Sequence, residues 1–173
     1  MESQSRRVAP EFLAWLRVPQ AQRWLDVDCG TGALCAAIAD LCAPPSLIGV
    51  EPSEGFLRSA AANLGSRAVL HAGSASPIPL ADASVDVVVS GLVLNFVPDV
   101  GAALAEMFRV AAANGTIAAY VWDYAGKMEF MRYFWDAAGE LDPNAARLDE
   151  GLRFPLCNPD ALAAAFRSAG QRA

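Results

Sequence analysis

Hydrophobic positions along this chain fall into short unbroken runs separated by stretches in which they recur every three or four residues. The unbroken runs, at 23–27, 47–50, 67–72, 85–94 and 116–122, have the length and apolar density of buried β-strands. Between them the spacing is helical. Residues 10–17 place Phe12, Leu13 and Leu16 on one face with Pro10 at the start, and 33–42 form a second helix closed by Pro44 and Pro45. Pro52 and Ser53 open a third, in which Phe56, Leu57, Ala60, Ala61 and Leu64 recur until Gly65. Asp99 caps a fourth over 100–112, burying Leu104, Met107, Phe108 and Val110, and Asn114-Gly115 marks the turn out of it. An aromatic helix with Phe130, Tyr133, Phe134 and Trp135 is expected to line core or pocket, 141–157 to be an irregular surface loop, and 159–169, capped by Asn158 and ended by Gly170, to be the last helix.

Strands that alternate with helices predict an α/β architecture, a doubly wound parallel sheet with helices on both faces. The run 85–94 is apolar on both faces, as in a covered interior strand. Ligands in such sheets sit beyond the C-terminal ends of the strands. That edge gathers Asp28 to Gly32, Glu51, Ser74, Ser90 to Asn95, and Trp122 to Tyr124. One domain over 1–173 is expected, with 1–20 as a helical lid, 22–123 as the core and 124–173 as a helical remainder.

The stretch LDVDCGTGAL, 25–34, turns sharply from strand to helix, and Gly30 and Gly32 let a ligand approach the main chain there. About 20 residues on, LIGV ends in Glu51, the position at which a nucleoside-binding sheet offers a carboxylate to ribose hydroxyls. A nucleoside cofactor is therefore expected.

Charge and composition narrow the partners. With 13 basic against 19 acidic residues and a net charge of −6, nothing supplies the positive field that a nucleic-acid backbone requires. The early arginines lack the apolar segment of a secretory signal, and the run from Val85 to Val97 is broken by Asp86, Ser90 and Asn95, so a soluble, cytoplasmic protein without a membrane partner is expected. Cys29, Cys35, Cys42 and Cys157 form no CxxC pair and His71 is the sole histidine, so no metal is expected. Cys29 contributes small size to the loop, and the other three are expected in the core.

Four stretches, LDVDCGTGAL, GVEPSEGFL, GSASPIPLADASVDVVVSGLVLNFV and GTIAAYVWD, resemble in order the class I S-adenosylmethionine-dependent methyltransferases, in particular the small-molecule enzymes related to ubiquinone and menaquinone methyltransferases. The resemblance implies strand order 3-2-1-4-5, S-adenosylmethionine as cofactor and a small-molecule methyl acceptor. By the same resemblance Asp26, Asp28, Cys29, Gly30, Gly32, Glu51, Pro52, Ser74, Ala75, Ser90 and Leu92 are cofactor positions, while Asn95, Trp122 and Tyr124 face the acceptor. Asp123, Tyr124 and His71 are the candidate general bases where an acceptor needs one.

The pattern is departed from in three places. Asp28 replaces the usual first glycine, and Ser74 stands where an aspartate often meets the adenine amine. Near the methionine carboxylate Asp28 would repel by up to about 4 kcal/mol, and near the ammonium or sulfonium the sign reverses; the sequence leaves both open. The family's final antiparallel strand pair is lacking, which leaves strand five as an edge for a homodimer or a partner chain to cover. Two rival functions follow: a partner-dependent subunit with weakened cofactor binding, and a nicotinamide oxidoreductase, the latter opposed by the missing GxGxxG spacing.

Overall fold

The computed structural model describes residues 2–170, so residues 1 and 171–173 of the expected 1–173 unit lie outside the described range. Five strands, β1 (Arg23–Val27), β2 (Ser46–Glu51), β3 (Val69–Ala72), β4 (Val85–Gly91) and β5 (Ala111–Tyr120), form one sheet in the order β3-β2-β1-β4-β5. All four pairings are parallel; the β1–β2, β2–β3 and β4–β5 connections each carry a helix, whereas β3 reaches β4 through the loop 73–84, and the predicted doubly wound order is the observed one. Among the described residues the sheet has no antiparallel member, and β5 is an edge.

Side chains alternate across β1 and β4 and build two cores. Trp24, Val87 and Val89 face α1 (Glu2–Leu16), α2 (Ala33–Leu41) and α3 (Glu54–Leu64), through Phe12, Leu13, Leu34, Ile38 and Leu64. Leu25, Val27, Val85 and Val88 face α4 (Val100–Val110) and α7 (Pro159–Gly170), through Leu104, Met107 and Ala169. The caps expected from sequence form. Ser53 accepts from the Phe56 amide at 3.4 Å, Asp99 from the Ala102 amide at 2.9 Å, and Asn158 from the Asp160 amide at 2.9 Å. Cys35 and Cys157 are buried and Cys42 is half-buried at the end of α2; all are free thiols.

Four expectations are corrected. The first helix does not begin at Pro10 but runs Glu2–Leu16 through it; burial of Ala9, Phe12 and Leu13 offsets the rung that proline cannot donate. Strand five does not span 116–122. It starts at Ala111, directly after α4, and the register jumps from Val85↔Ala111 to Val87↔Thr116, so Asn114-Gly115 belongs to a bulge inside the strand. A Cβ on Gly115 would stand 2.8 Å from the Ala112 carbonyl and 2.9 Å from that of Asp86, which explains the glycine.

The segment 141–157 is ordered: a 3-10 turn (Pro143–Leu148) and α6 (Glu150–Arg153) pack on α5 (Glu129–Leu141). Arg132 of α5 pairs through both guanidinium amines with buried Asp149, and the Trp135 indole donates to Glu150 at 2.5 Å. Those contacts turn the other side of α5 outward. Phe130 (67% exposed), Tyr133 (72%) and Phe134 (58%) face solvent, not core or pocket.

Candidate active site

Beyond the C-terminal ends of β1, β2, β4 and β5 lies a cavity of about 870 Å³, a volume in the range of small-molecule and cofactor sites. Its floor is the turn between β1 and α2. There Asp28, Gly30 and Gly32 all adopt positive φ, at 54°, 57° and 83°, a coil that only alternate left-handed residues permit. The Cys29 amide donates to the Val50 carbonyl at 3.0 Å, extending the β1–β2 pairing by one residue, and the Gly32 amide closes onto the Cys29 carbonyl at 2.9 Å.

Glu51 ties this turn to the next one. One carboxylate oxygen accepts from the Gly30 amide and the other from the Ser53 amide, each at 2.9 Å, with the side chain 4% exposed. An amide that the sequence offered to a ligand is thus already used within the chain. The two glycines also separate in role. A Cβ on Gly30 would meet nothing within 4 Å, whereas one on Gly32 would lie 2.8 Å from the Leu64 Cδ1, so Gly32 serves the α2–α3 packing and lies off the cavity wall.

The wall is acidic at the turn and apolar opposite. Asp26, Asp28, Glu51 and Asp99 all contribute, and among the described lining residues there is no lysine, arginine or histidine. Burial pushes the Asp26 carboxyl up to about 7, with Asp28 and Glu51 adding to the rise and the bond from the Cys35 thiol at 3.3 Å opposing it. Burial, then Glu51, raises Asp28 to about 6. One Asp28 oxygen, Oδ1, is buried without a hydrogen-bond partner.

Of the predicted cofactor positions, Asp26, Asp28, Cys29, Gly30, Glu51, Pro52, Ser74, Ala75 and Leu92 line this one cavity. Ser90 does not: it is buried within β4, its hydroxyl without a partner. The Ser74 hydroxyl donates to the Ser76 carbonyl at 2.7 Å and so shapes its own loop. Farther along, that loop is clamped from α4. The Ile78 amide donates to Glu106 at 2.8 Å, and the Arg109 guanidinium donates to the Ile78 and Leu80 carbonyls and to Asp82.

The expected acceptor residues stand elsewhere. Asn95 and Trp122 are off the wall, the Asn95 amide being buried and unpartnered. Tyr124 packs on Phe154 at 6.0 Å, which in turn meets the wall residue Phe96 edge-on at 5.2 Å. Asp123 accepts from the Gly126 amide in a local turn, and His71 sits on β3, so none of the three candidate bases reaches the cavity.

Sequence reasoning missed Tyr120, at the true end of β5. Its ring tilts against Phe12 of α1 at 4.7 Å and fits over Gly91, where a Cβ would lie 2.6 Å from the hydroxyl oxygen. Burial drives its phenol well above the ordinary range, with Asp26 adding. Phe56, Val93, Phe96 and Val97 complete the apolar side, and Ser5 of α1 reaches the rim. Placing the end of strand five correctly would have found Tyr120.

Among the described residues no group of His, Cys, Asp and Glu could hold a metal ion, and no helix is long and apolar enough to cross a membrane.

Comparison with known proteins agrees with this geometry. The family described as a methyltransferase domain matches residues 25–119. The demethylmenaquinone methyltransferase of Roseiflexus castenholzii is 36% identical over 101 residues, covering 58% of this chain and 42% of that protein. The malonyl-[acyl-carrier protein] O-methyltransferase of Geobacter sulfurreducens is 32% identical, covering 87% and 55%. The chain thus spans about half the length of these relatives. In fold, a chain of the Haloferax volcanii complex containing the Trm112 methyltransferase activator aligns at TM-score 0.75 and 20% identity, over 98% of this chain and 70% of that one. The match over more than half of its length, on the strands and turns that build the cavity, means that this chain belongs to the methyltransferase domain family.

Proposed function

We propose that the chain binds S-adenosylmethionine in this cavity and transfers its methyl group to a small, uncharged and largely apolar acceptor. The observation that carries the reading is the Glu51 crosspiece beside Gly30, a buried carboxylate next to a backbone with open space in front of it. Glu51 has lone pairs beyond those facing its two amides, and these would accept from ribose hydroxyls. Gly30 and Cys29 would run under the methionine part, and Ser74 and Ala75 would meet adenine. The nicotinamide reading is disfavoured by the family match.

When bound, S-adenosylmethionine supplies a methyl group already activated on a sulfonium. Methyl transfer would join an electron pair of the acceptor to that carbon and leave the carbon–sulfur pair on sulfur, and a proton released by the acceptor would pass to solvent as the product leaves the cavity. The chain's own contribution is alignment and exclusion of water, which Leu92, Val93, Phe96 and Val97 provide. Tyr120, held protonated by burial, acts as a hydrogen-bond donor rather than a base. An anionic acceptor would meet carboxylates with no described cation to offset them. A demethylmenaquinone-like ring suits this wall better than the anionic acceptor named for the Geobacter relative.

A second reading, a partner-dependent subunit, is favoured by the outward aromatic face of α5 and by the edge of β5 that no described residue pairs. Calorimetric titration with S-adenosylmethionine, S-adenosylhomocysteine and NADH decides. Binding of the first two supports the methyltransferase, binding of NADH alone overturns it, and silence with all three favours the subunit.

A further inference from the structure

Each carboxylate on the cavity wall but one has its donor. Glu51 takes the Gly30 and Ser53 amides, Asp26 the Cys35 thiol, and Asp99 the Ala102 amide. Asp28 alone holds a buried oxygen, Oδ1, that no group among the described residues satisfies. It sits at the left-handed entry to the turn, on the wall of the cavity, and among the described lining residues no cation neutralises it. A buried, unpaired carboxylate oxygen destabilises the fold unless a ligand supplies what is missing. What would repay it is positive charge.

We propose that Asp28 is the residue through which the cavity distinguishes the sulfonium donor from its spent thioether, favouring the charged molecule and releasing the neutral one. The inference rests on the cofactor reading above. S-adenosylmethionine and S-adenosylhomocysteine share the adenosine, the ammonium and the carboxylate, and differ by a methyl group and one positive charge. Any repulsion of the shared carboxylate by Asp28, any attraction of the shared ammonium and any steric effect on either therefore cancels in the ratio of their dissociation constants. What remains is the sulfonium charge and the bulk of the methyl, and Asp28→Asn, which keeps the shape of the side chain, alters the response to the charge alone. For a unit charge in a site partly open to water, that ratio changes by about tenfold. The consequence for turnover is weak product inhibition.

Asn at position 28 keeps the shape of the side chain and tolerates left-handed backbone, so Asp28→Asn removes the charge and leaves the turn. Asp28→Gly removes charge and strain together, and guards against an effect of the amide itself. Thermal melts establish that both variants are folded. Titration calorimetry then measures S-adenosylmethionine, S-adenosylhomocysteine and sinefungin, whose amine carries positive charge without a transferable methyl group.

In the parent chain the donor and sinefungin are expected to bind more tightly, relative to the thioether, by about tenfold more than in either variant. The preference should fade below about pH 6 in the parent, as Asp28 takes up a proton. Asp26, Glu51, Asp99 and Tyr120 also face the cavity, from β1, β2, α4 and β5, so the pH response assigned to Asp28 is the part that Asp28→Asn removes. An unchanged ratio in both variants, or equal tightening of all three ligands, overturns the proposal while leaving the cofactor reading intact. Silence of the parent and both variants toward every ligand overturns the two together.

Discussion

Substituting alanine at Gly32 or at Gly30 should produce opposite signatures, although the two glycines stand two residues apart in one turn. At Gly32 the φ of 83° costs an alanine about 1–2 kcal/mol. Its methyl would lie 2.8 Å from the Leu64 Cδ1 and 3.1 Å from Cγ, and Leu64 is 2% exposed with little room to move, which adds about 1–3 kcal/mol of overpacking. Reduced freedom of the unfolded chain returns about 0.4–1 kcal/mol. The net loss of roughly 2–4 kcal/mol lowers the melting temperature of a domain this size by about 5–15 °C, with ligand affinity unchanged where the protein is folded. Gly30→Ala pays only the backbone cost, melting a few degrees lower, but its methyl enters the cavity and should weaken S-adenosylmethionine at least ~10-fold. The decisive assay is a double-mutant cycle with Leu64→Ala by urea unfolding. Truncating Leu64 makes space for the new methyl, so Gly32→Ala should cost about 1–3 kcal/mol less in that background. Equal cost in both backgrounds would refute the clash with Leu64, and parental affinity in Gly30→Ala would refute its place in the binding cavity.

Other perturbations reach different parts of the site. Glu51→Gln leaves one acceptor where two amides need two, so stability should fall by about 1.5–3 kcal/mol and S-adenosylmethionine affinity by ~100-fold; urea melts and calorimetry that match the parent would dismiss the crosspiece. Arg109→Met releases the carbonyls of Ile78 and Leu80, so amide exchange across 74–82 should speed up, with a loss of about 1–3 kcal/mol and no change in exchange at β2. Asp26, held at about 7 in the fold against an ordinary 3.8, contributes stability that is full below 3.8 and is lost as pH rises through 7, up to roughly 4 kcal/mol. Asp86, held near 2 by the hydrogen bonds from Arg23, acts in the opposite sense and loses its contribution as pH falls from 3.8 toward 2. Melting temperature should therefore decline from pH 5 to pH 8 and do so less in Asp26→Asn; a parent more stable at pH 8 than at pH 5 would contradict the burial argument.

The features that sequence disclosed are those whose cause is local. An apolar run flanked by glycine and proline must be buried as a strand, and a carboxylate at the end of strand two lies beside the turn after strand one wherever the two strands pair in parallel register, as Val27 and Val50 do. Glu51 was legible for that reason. The division of labour between Gly30 and Gly32 was not, because it is decided by Leu64, 32 residues farther on, and a glycine in a turn looks the same whether it makes room for a ligand or for a neighbouring helix.

Strand five shows the same limit from the other side. Its apolar run continues past the strand, because Val121 packs into the second core after the pairing has stopped at Tyr120. Burial and pairing end at different residues, and only pairing fixes what projects from the edge of the sheet; with strand five expected to run to 122, the resemblance was laid on Trp122 and Tyr120 was overlooked. The aromatic helix α5 inverts the inference again. Its periodicity describes a face without saying what covers it, and the part-buried pairing of Arg132 with Asp149 holds that face toward solvent. Sequence patterns thus locate the residues that backbone geometry brings to the sheet edge, while contacts between distant elements decide which of them look into the cavity.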